Sequence, residues 1–377
     1  MDNKGKRGLL IAGIATITGT MVGAGILGMP YAISKSGFLV GLIFIFLLGL
    51  VSLNMNLFLG EVSLRTKGDH QLPGYAEKYL GKIGKILMIF SMLFGIYAAL
   101  TAYLIAEGES LSYLFFGNFN SSFYFTLLFF VIVFIVVSFG LDVVKKQISI
   151  GVFILIALVI LIALTFIPNI SLENLTYSSS KFTDLIFPYG VVFFSMLAYS
   201  ALPELGRELK GNEKLMKKSI VIGTLIPLAI YLIFTLVILG FKGRDTPEIA
   251  TFAIGNIAIL IGIIGMSNAF LILSTAIKDM YHLDLKLNKI TSLCLALFVP
   301  MLLFLFIYFS NAATFITFLS WSGAVSGGLT GILALFMLRN AKKQGNRKPE
   351  YSMPLPLWLI IFLVLLFTLG IITEFLF

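Results

Sequence analysis

Eleven apolar stretches, each about twenty residues or longer, follow one another down this chain of 377 residues. They cover 8–34, 37–63, 84–114, 122–141, 148–167, 183–203, 219–241, 252–281, 290–309, 312–338 and 354–376. As a helix, about twenty apolar residues reach roughly 30 Å, the hydrocarbon thickness of a bilayer. With 59% hydrophobic and 12% charged residues, the chain has too little polar surface for a soluble domain. Backbone in hydrocarbon must satisfy its own hydrogen bonds, so the reading is an all-α polytopic membrane protein with 11 transmembrane helices. Residues 1–377 read as a single transmembrane domain with no room for a separate soluble one.

Charge sets the expected orientation. With the N-terminus inside, 23 Lys and Arg fall on the inner side and four outside: Lys35, Lys181, Lys242 and Arg244. That asymmetry predicts a multi-pass cell-membrane protein with a cytoplasmic N-terminus and an extracellular C-terminus. The net charge of +9 is thus a topology signal, and nucleic acid is not an expected partner. The expected partner is the lipid bilayer, with no obligate protein partner evident. The first stretch lacks a small-residue cleavage site and reads as a retained span. A lone Cys294 forms no internal disulfide.

Two spans are poor helices. Span 1 carries GTMVGAGILGMP at 19–30, with Gly19, Gly23, Gly25 and Gly28 before Pro30. Each glycine costs a helix about 1 kcal/mol relative to alanine. Span 6 carries FPYGVVFFSMLAYSALPE at 187–204. Unwound backbone at membrane depth persists only where it lines a cavity or is buried in protein. The two stand five spans apart, and an odd repeat length makes the second copy enter from the opposite side. The organisation predicted is an inverted repeat: repeat one about 8–167, repeat two about 183–338, and an extra span about 354–376, with a binding site between the broken helices. After span 2, residues 74–83 form either an interfacial helix with Tyr75, Tyr79 and Leu80 on one face or an ordinary basic loop.

TGTMVGAGILGMPYA in span 1, LPGYAEKYLGKIGK after span 2 and ALPELGRELK after span 6 resemble the amino acid/auxin permease family. The resemblance is nearest to its prokaryotic aromatic amino acid permeases and covers almost the whole chain. It implies the LeuT-type fold of five plus five helices and H⁺- or Na⁺-coupled amino acid uptake. It also implies rocking of spans 1, 2, 6 and 7 against spans 3, 4, 8 and 9.

A zwitterion at the midplane needs donors for its carboxylate and acceptors for its ammonium. A helix broken near 22–25 offers both. Amides beginning at Gly25 suit the carboxylate, and carbonyls near Thr20 and Met21 suit the ammonium. Gly23, Ala24 and Gly25 would let the ligand reach the backbone, although Gly19 and Gly23 also fit simple close helix packing. Phe194 and Ser195 form the expected wall from span 6. Tyr97 and Thr101 of span 3 are either site residues, as the resemblance implies for a tyrosine there, or structural. Asn268 of span 8 either faces the pocket or pins two helices. Glu107 and Glu109 either line an entry path or, the preferred reading, form the solvated end of span 3; Asp142, Glu204, Asp279 and Asp284 read as interfacial ion pairs.

For the coupling ion, the carbonyls of Gly19, Val22 and Leu271 with the hydroxyls of Ser274 and Thr275 make a set of neutral oxygens suited to Na⁺. This pattern resembles the sodium site of sodium-coupled LeuT-type transporters. The opposing reading is that the two hydroxyls bond back to their own helix. No acidic residue or histidine falls clearly at the midplane as a proton relay, so Na⁺ is favoured over H⁺, and no other cofactor is expected. Import of a neutral, hydrophobic or aromatic amino acid is the leading reading. The alternative is an amino acid sensor with the same site. An enzyme lacks its nucleophile or metal cluster at depth, and a channel lacks a ring of charges.

Overall fold

The computed structural model describes residues 3–23, 25–139, 141–310 and 312–376, with side chains outside 3–4 and 141–149. The described residues form sixteen α-helices: α1 (Asn3–Met21), α2 (Gly25–Ser36), α3 (Phe38–Leu64), α4 (Leu72–Phe116), α5 (Ser122–Phe139), α6 (Leu141–Phe166), α7 (Leu172–Thr176), α8 (Phe182–Ile186), α9 (Pro188–Ser195), α10 (Leu202–Glu208), α11 (Met216–Lys242), α12 (Asn256–Asp279), α13 (Lys289–Ser310), α14 (Phe315–Trp321), α15 (Gly328–Gln344) and α16 (Leu357–Leu376). Ten described helices or helix runs are long and apolar enough to cross a membrane, and α1 with α2 makes up to eleven. The eleven apolar stretches are therefore legible one for one.

Span 1 is interrupted as its glycines predict. α1 ends at Met21, α2 starts at Gly25, and the two halves bend by 47°. The Val22 amide still bonds the Thr18 carbonyl at 2.8 Å, while the Gly23 amide turns back to Met21 at 2.9 Å. Span 6 consists of α9, a short non-helical stretch at 196–198, a 3₁₀ turn over Tyr199–Ala201, and α10. Pro188 and Pro203 each occupy the first turn of their half-helix, where a missing amide costs nothing.

Span 10 holds an interruption that the sequence reading left as one helix over 312–338. Between α14 and α15, Ser322–Gly327 forms a π-helical segment, a distortion that recurs at functional sites. Span 3 is jointed: Gly81 (φ 75°, ψ −165°) separates a short leading helix from the long span. The leading helix follows the interfacial-helix reading, with a tighter anchor. Tyr75 and Tyr79 are buried, with their hydroxyls against Ser63 (3.1 Å) and Thr66 (2.7 Å).

Charges on the N-terminal side pair across elements. Arg207 joins Glu204 to Asp279, the latter at 2.7 Å. Glu61, fully buried, holds Arg65, Ser352 and the Met353 amide. Asp284 corrects its ion-pair reading: its carboxylate accepts from the amides of Gln71 (3.4 Å) and Gly74 (3.0 Å), capping the start of α4. The side chain of Asp142 lies outside the described residues.

Candidate functional site

The two interrupted spans meet. At Gly25, the first residue of α2, a Cβ would stand 2.8 Å from the Ser195 Cα, so only glycine permits the approach. Ser195 ends α9, and its hydroxyl donates to the Val191 carbonyl at 2.7 Å. A third element ties the halves together. The buried Tyr231 hydroxyl on α11 lies within donor distance of the Met21 carbonyl and, at 3.1 Å, of the Ser195 carbonyl. These are the partially negative C-terminal ends of α1 and α9. Ser52 of α3 donates to the Met196 carbonyl in the unwound stretch. Neither Tyr231 nor Ser52 was singled out from the sequence, where each is one polar residue in an apolar span.

Beside the break lies a cavity of about 60 Å³. Thr20 and Met21 of α1 and Phe194 of α9 line it, whereas Gly23, Gly25 and Ser195 do not. Leu197, Tyr199 and Ser200 extend the span 6 wall, and Met92, Gly95 and Tyr103 come from α4. Ser322 and Ser326 of the π segment and Thr330 of α15 form the opposite side. These hydroxyls are already engaged: Ser322 donates to the Gly95 carbonyl (2.9 Å) and Ser326 to the Ser91 carbonyl (2.7 Å). Sequence reasoning missed this wall, yet SWSGAVSGGLTG at 320–331 is the same kind of small, polar run that marks spans 1 and 6.

The tyrosine of span 3 at the break is Tyr103. Its hydroxyl stands 2.9 Å from where a Cβ on Gly23 would lie, with Ala269 of α12 on the same side. Its ring centroid is 6.5 Å from that of Phe194. Tyr97 and Thr101 face elsewhere, which corrects their assignment. The Tyr97 hydroxyl reaches Tyr281 (2.7 Å) and the Leu295 carbonyl (3.0 Å), and Thr101 donates to the Tyr97 carbonyl (2.8 Å). Residues 97 and 101 share one helical face and 103 lies on another. Asn268 faces Gly151 of α6, with its amide nitrogen buried and unpartnered. It therefore lies between spans 5 and 8, away from the cavity. Ala24 lies outside the described residues.

The five oxygens drawn together for sodium are not gathered around one point. The Val22 carbonyl faces Gly265, 3.2 Å from where a Cβ would stand. Gly265 and Ser274 are nine residues apart on α12, about 13 Å along the helix, and Thr275 lies further still. No single ion spans that distance. Ser274 donates to the Leu271 carbonyl at 3.1 Å, and the buried Thr275 hydroxyl has no partner. Gly19 is buried within α1.

Glu107 reverses its reading as a solvated helix end. It is 0% exposed, and its Oε1 accepts a 2.8 Å bond from Ser267 of α12. It lies one turn beyond Tyr103 on α4. Its burial was not legible because a carboxylate near the end of a long span has the same sequence signature whether lipid, water or protein surrounds it.

Comparison with known proteins follows the same lines. Residues 6–268 match the tryptophan/tyrosine permease family. Over 229 residues the chain is 30% identical to tyrosine-specific transport system 1 of Haemophilus influenzae, a match covering 58% of this chain and 55% of that protein. That relative is a transport system and not an enzyme. Two solved structures share the architecture. MhsT in complex with L-phenylalanine has a TM-score of 0.63 at 17% identity, covering 97% of this chain and 98% of that one. Mhp1, a nucleobase-cation-symport-1 family transporter with bromovinylhydantoin bound, has a TM-score of 0.67 at 14% identity, covering 97% and 90%. The fold is the LeuT type, as the sequence resemblance implies.

Proposed function

Because the chain belongs to the tryptophan/tyrosine permease family, we propose that it imports aromatic amino acids by alternating access, driven by a coupled cation. One observation carries this reading: two interrupted spans meet at Gly25 and Ser195, and Met21 of the one and Phe194 of the other line the adjoining cavity. The first amides of α2 supply the positive end that a substrate carboxylate needs. The carbonyls of Met21 and Ser195 supply acceptors for its ammonium, which takes the place of the Tyr231 hydroxyl. Phe194 and Tyr103 offer aromatic faces to the side chain. The hydroxyls of Ser322, Ser326 and Thr330 suit the polar tip of a tyrosine or tryptophan.

The cavity holds a few water molecules at its present size. Substrate entry therefore requires the halves to move, and the rocking of spans 1, 2, 6 and 7 against spans 3, 4, 8 and 9 supplies that motion. The cytoplasmic N-terminus and inward direction belong to the same proposal.

A thermal-shift screen of the twenty amino acids on purified protein tests the reading. Binding to the folded state raises apparent stability by mass action. Tyrosine, tryptophan or phenylalanine is expected to stabilise and small aliphatic residues are not. Stabilisation by aliphatic residues alone would overturn the aromatic assignment, and no shift with any amino acid would overturn the site.

A further inference from the structure

The geometry points to Glu107 as the residue that takes up the proton moving with the substrate. This inference rests on the transport reading above and names the coupling ion for the same site.

Glu107 has no solvent exposure. One carboxyl oxygen accepts from Ser267 at 2.8 Å, and the other, Oε2, is buried with no hydrogen-bond partner. Its place bears on the break from two sides. On α4, Tyr103 one turn away closes the space beside Gly23; on α12, Ser267 lies between Gly265 and Ala269, which face Val22 and Gly23.

Among the described residues, no cation pairs with the carboxylate. On its own helix, Glu109 lies within range of Glu248, another acid. The π segment and α14 contain no titratable residue, and Tyr124 of α5 is exposed. On α12, Lys278 and Asp279 lie at the opposite end, where Asp279 pairs with Arg207. Tyr281 meets α4 at Tyr97, ten residues before Glu107, and the other titratable groups packed against α4 gather near its start: Asp284 against Gln71 and Gly74, and the basic end of α15 beside Tyr79 through Asn340. On α13, Lys289 is the first residue, and Cys294 and Tyr308 are the other titratable groups. A buried carboxylate with one neutral donor and no counter-charge is far less stable than its protonated form.

The coupling step follows. With the path to Glu107 open to one aqueous phase, the carboxylate accepts one proton and becomes a carboxyl. With substrate bound, only the neutral form tolerates closure of the spans around it; the emptied protein returns with the carboxylate reached by water. Opening to the other phase returns the proton to water. One O–H bond forms and later breaks, and no electron changes hands.

The experiment uses the full-length protein with radiolabelled tyrosine in proteoliposomes, for wild type and Glu107→Gln. Wild type is expected to accumulate tyrosine under an inward proton gradient without Na⁺. Glu107→Gln is expected to keep tyrosine counterflow, which needs no net proton movement, and to lose gradient-driven accumulation. Infrared spectroscopy of the purified wild type should show a protonated-carboxyl band that Glu107→Gln lacks. Ser267→Ala removes a donor that favours the charged form, so the pH midpoint of its uptake should move upward. Gradient-driven accumulation by Glu107→Gln, the missing infrared band, or an unmoved midpoint in Ser267→Ala would overturn the assignment while leaving transport intact. Absence of wild-type counterflow with any aromatic amino acid would overturn the transport reading, and this inference with it.

Discussion

At Gly25 the interior leaves no room for a single added carbon, because the nearest atoms include the Ser195 backbone. At Gly28 the nearest atoms are the side-chain ends of Ile316 and Leu319, each 2.9 Å away, and these can shift. Gly25→Ala is therefore expected to abolish ligand-induced thermal stabilisation and uptake in a protein that still folds, while Gly28→Ala retains both. Unchanged uptake by Gly25→Ala would mean that the meeting of the two spans is mere packing. Tyr231 carries a second expectation. Its hydroxyl is the donor shared by two buried helix-end carbonyls. Tyr231→Phe should lower stability by about 1–3 kcal/mol, the cost of leaving a buried acceptor unmet. An aromatic substrate, bringing its own ammonium donor, should then raise the melting temperature more in this variant than in wild type. Equal shifts would count against the ammonium site.

The joint in α4 shows what one residue does for an element. Gly81 adopts φ 75° and ψ −165°, a region that essentially only glycine occupies. It turns a helix lying against Ser63 and Thr66 into one that crosses the membrane. Nothing stands within 4 Å of an added Cβ, so a substitution there tests backbone strain alone. Gly81→Ala should cost about 1–3 kcal/mol, read as a lower melting temperature in detergent, whereas unchanged stability would show that the joint tolerates any residue. The interrupted spans follow a related logic. Spans 1, 6 and 10 each combine small residues with hydroxyls, and each loses regular helix beside the same cavity. The signal in span 10 was as legible as the other two. Its pairing gave no second signal, because the five-span spacing that pairs 1 with 6 pairs span 10 with span 5, which carries no such run of small and hydroxyl residues.

Across the whole molecule, an uneven distribution of Lys and Arg predicts which ends face the cytoplasm. Asn118 and Lys348 are both exposed, one in the turn after α4 and the other between α15 and α16. Single cysteines placed by Asn118→Cys and Lys348→Cys in a Cys294→Ser background should react with an impermeant thiol reagent from opposite sides, with position 118 outside. Labelling of both from one side would refute the eleven-span path.

The number of spans, their order and the two breaks were set by local chemistry: runs of apolar residues long enough to cross a bilayer, and glycine and proline where a helix should be continuous. These depend on neighbours in sequence, so the chain alone determined them. Which face of a helix meets the cavity depends on packing between segments more than a hundred residues apart. Tertiary structure therefore decided that Tyr103 and not Tyr97 stands at the break, that Asn268 turns to span 5, and that the Val22 carbonyl lies far from Ser274 and Thr275. It also decided the surroundings of Glu107, because burial belongs to the assembled helices and not to any one of them.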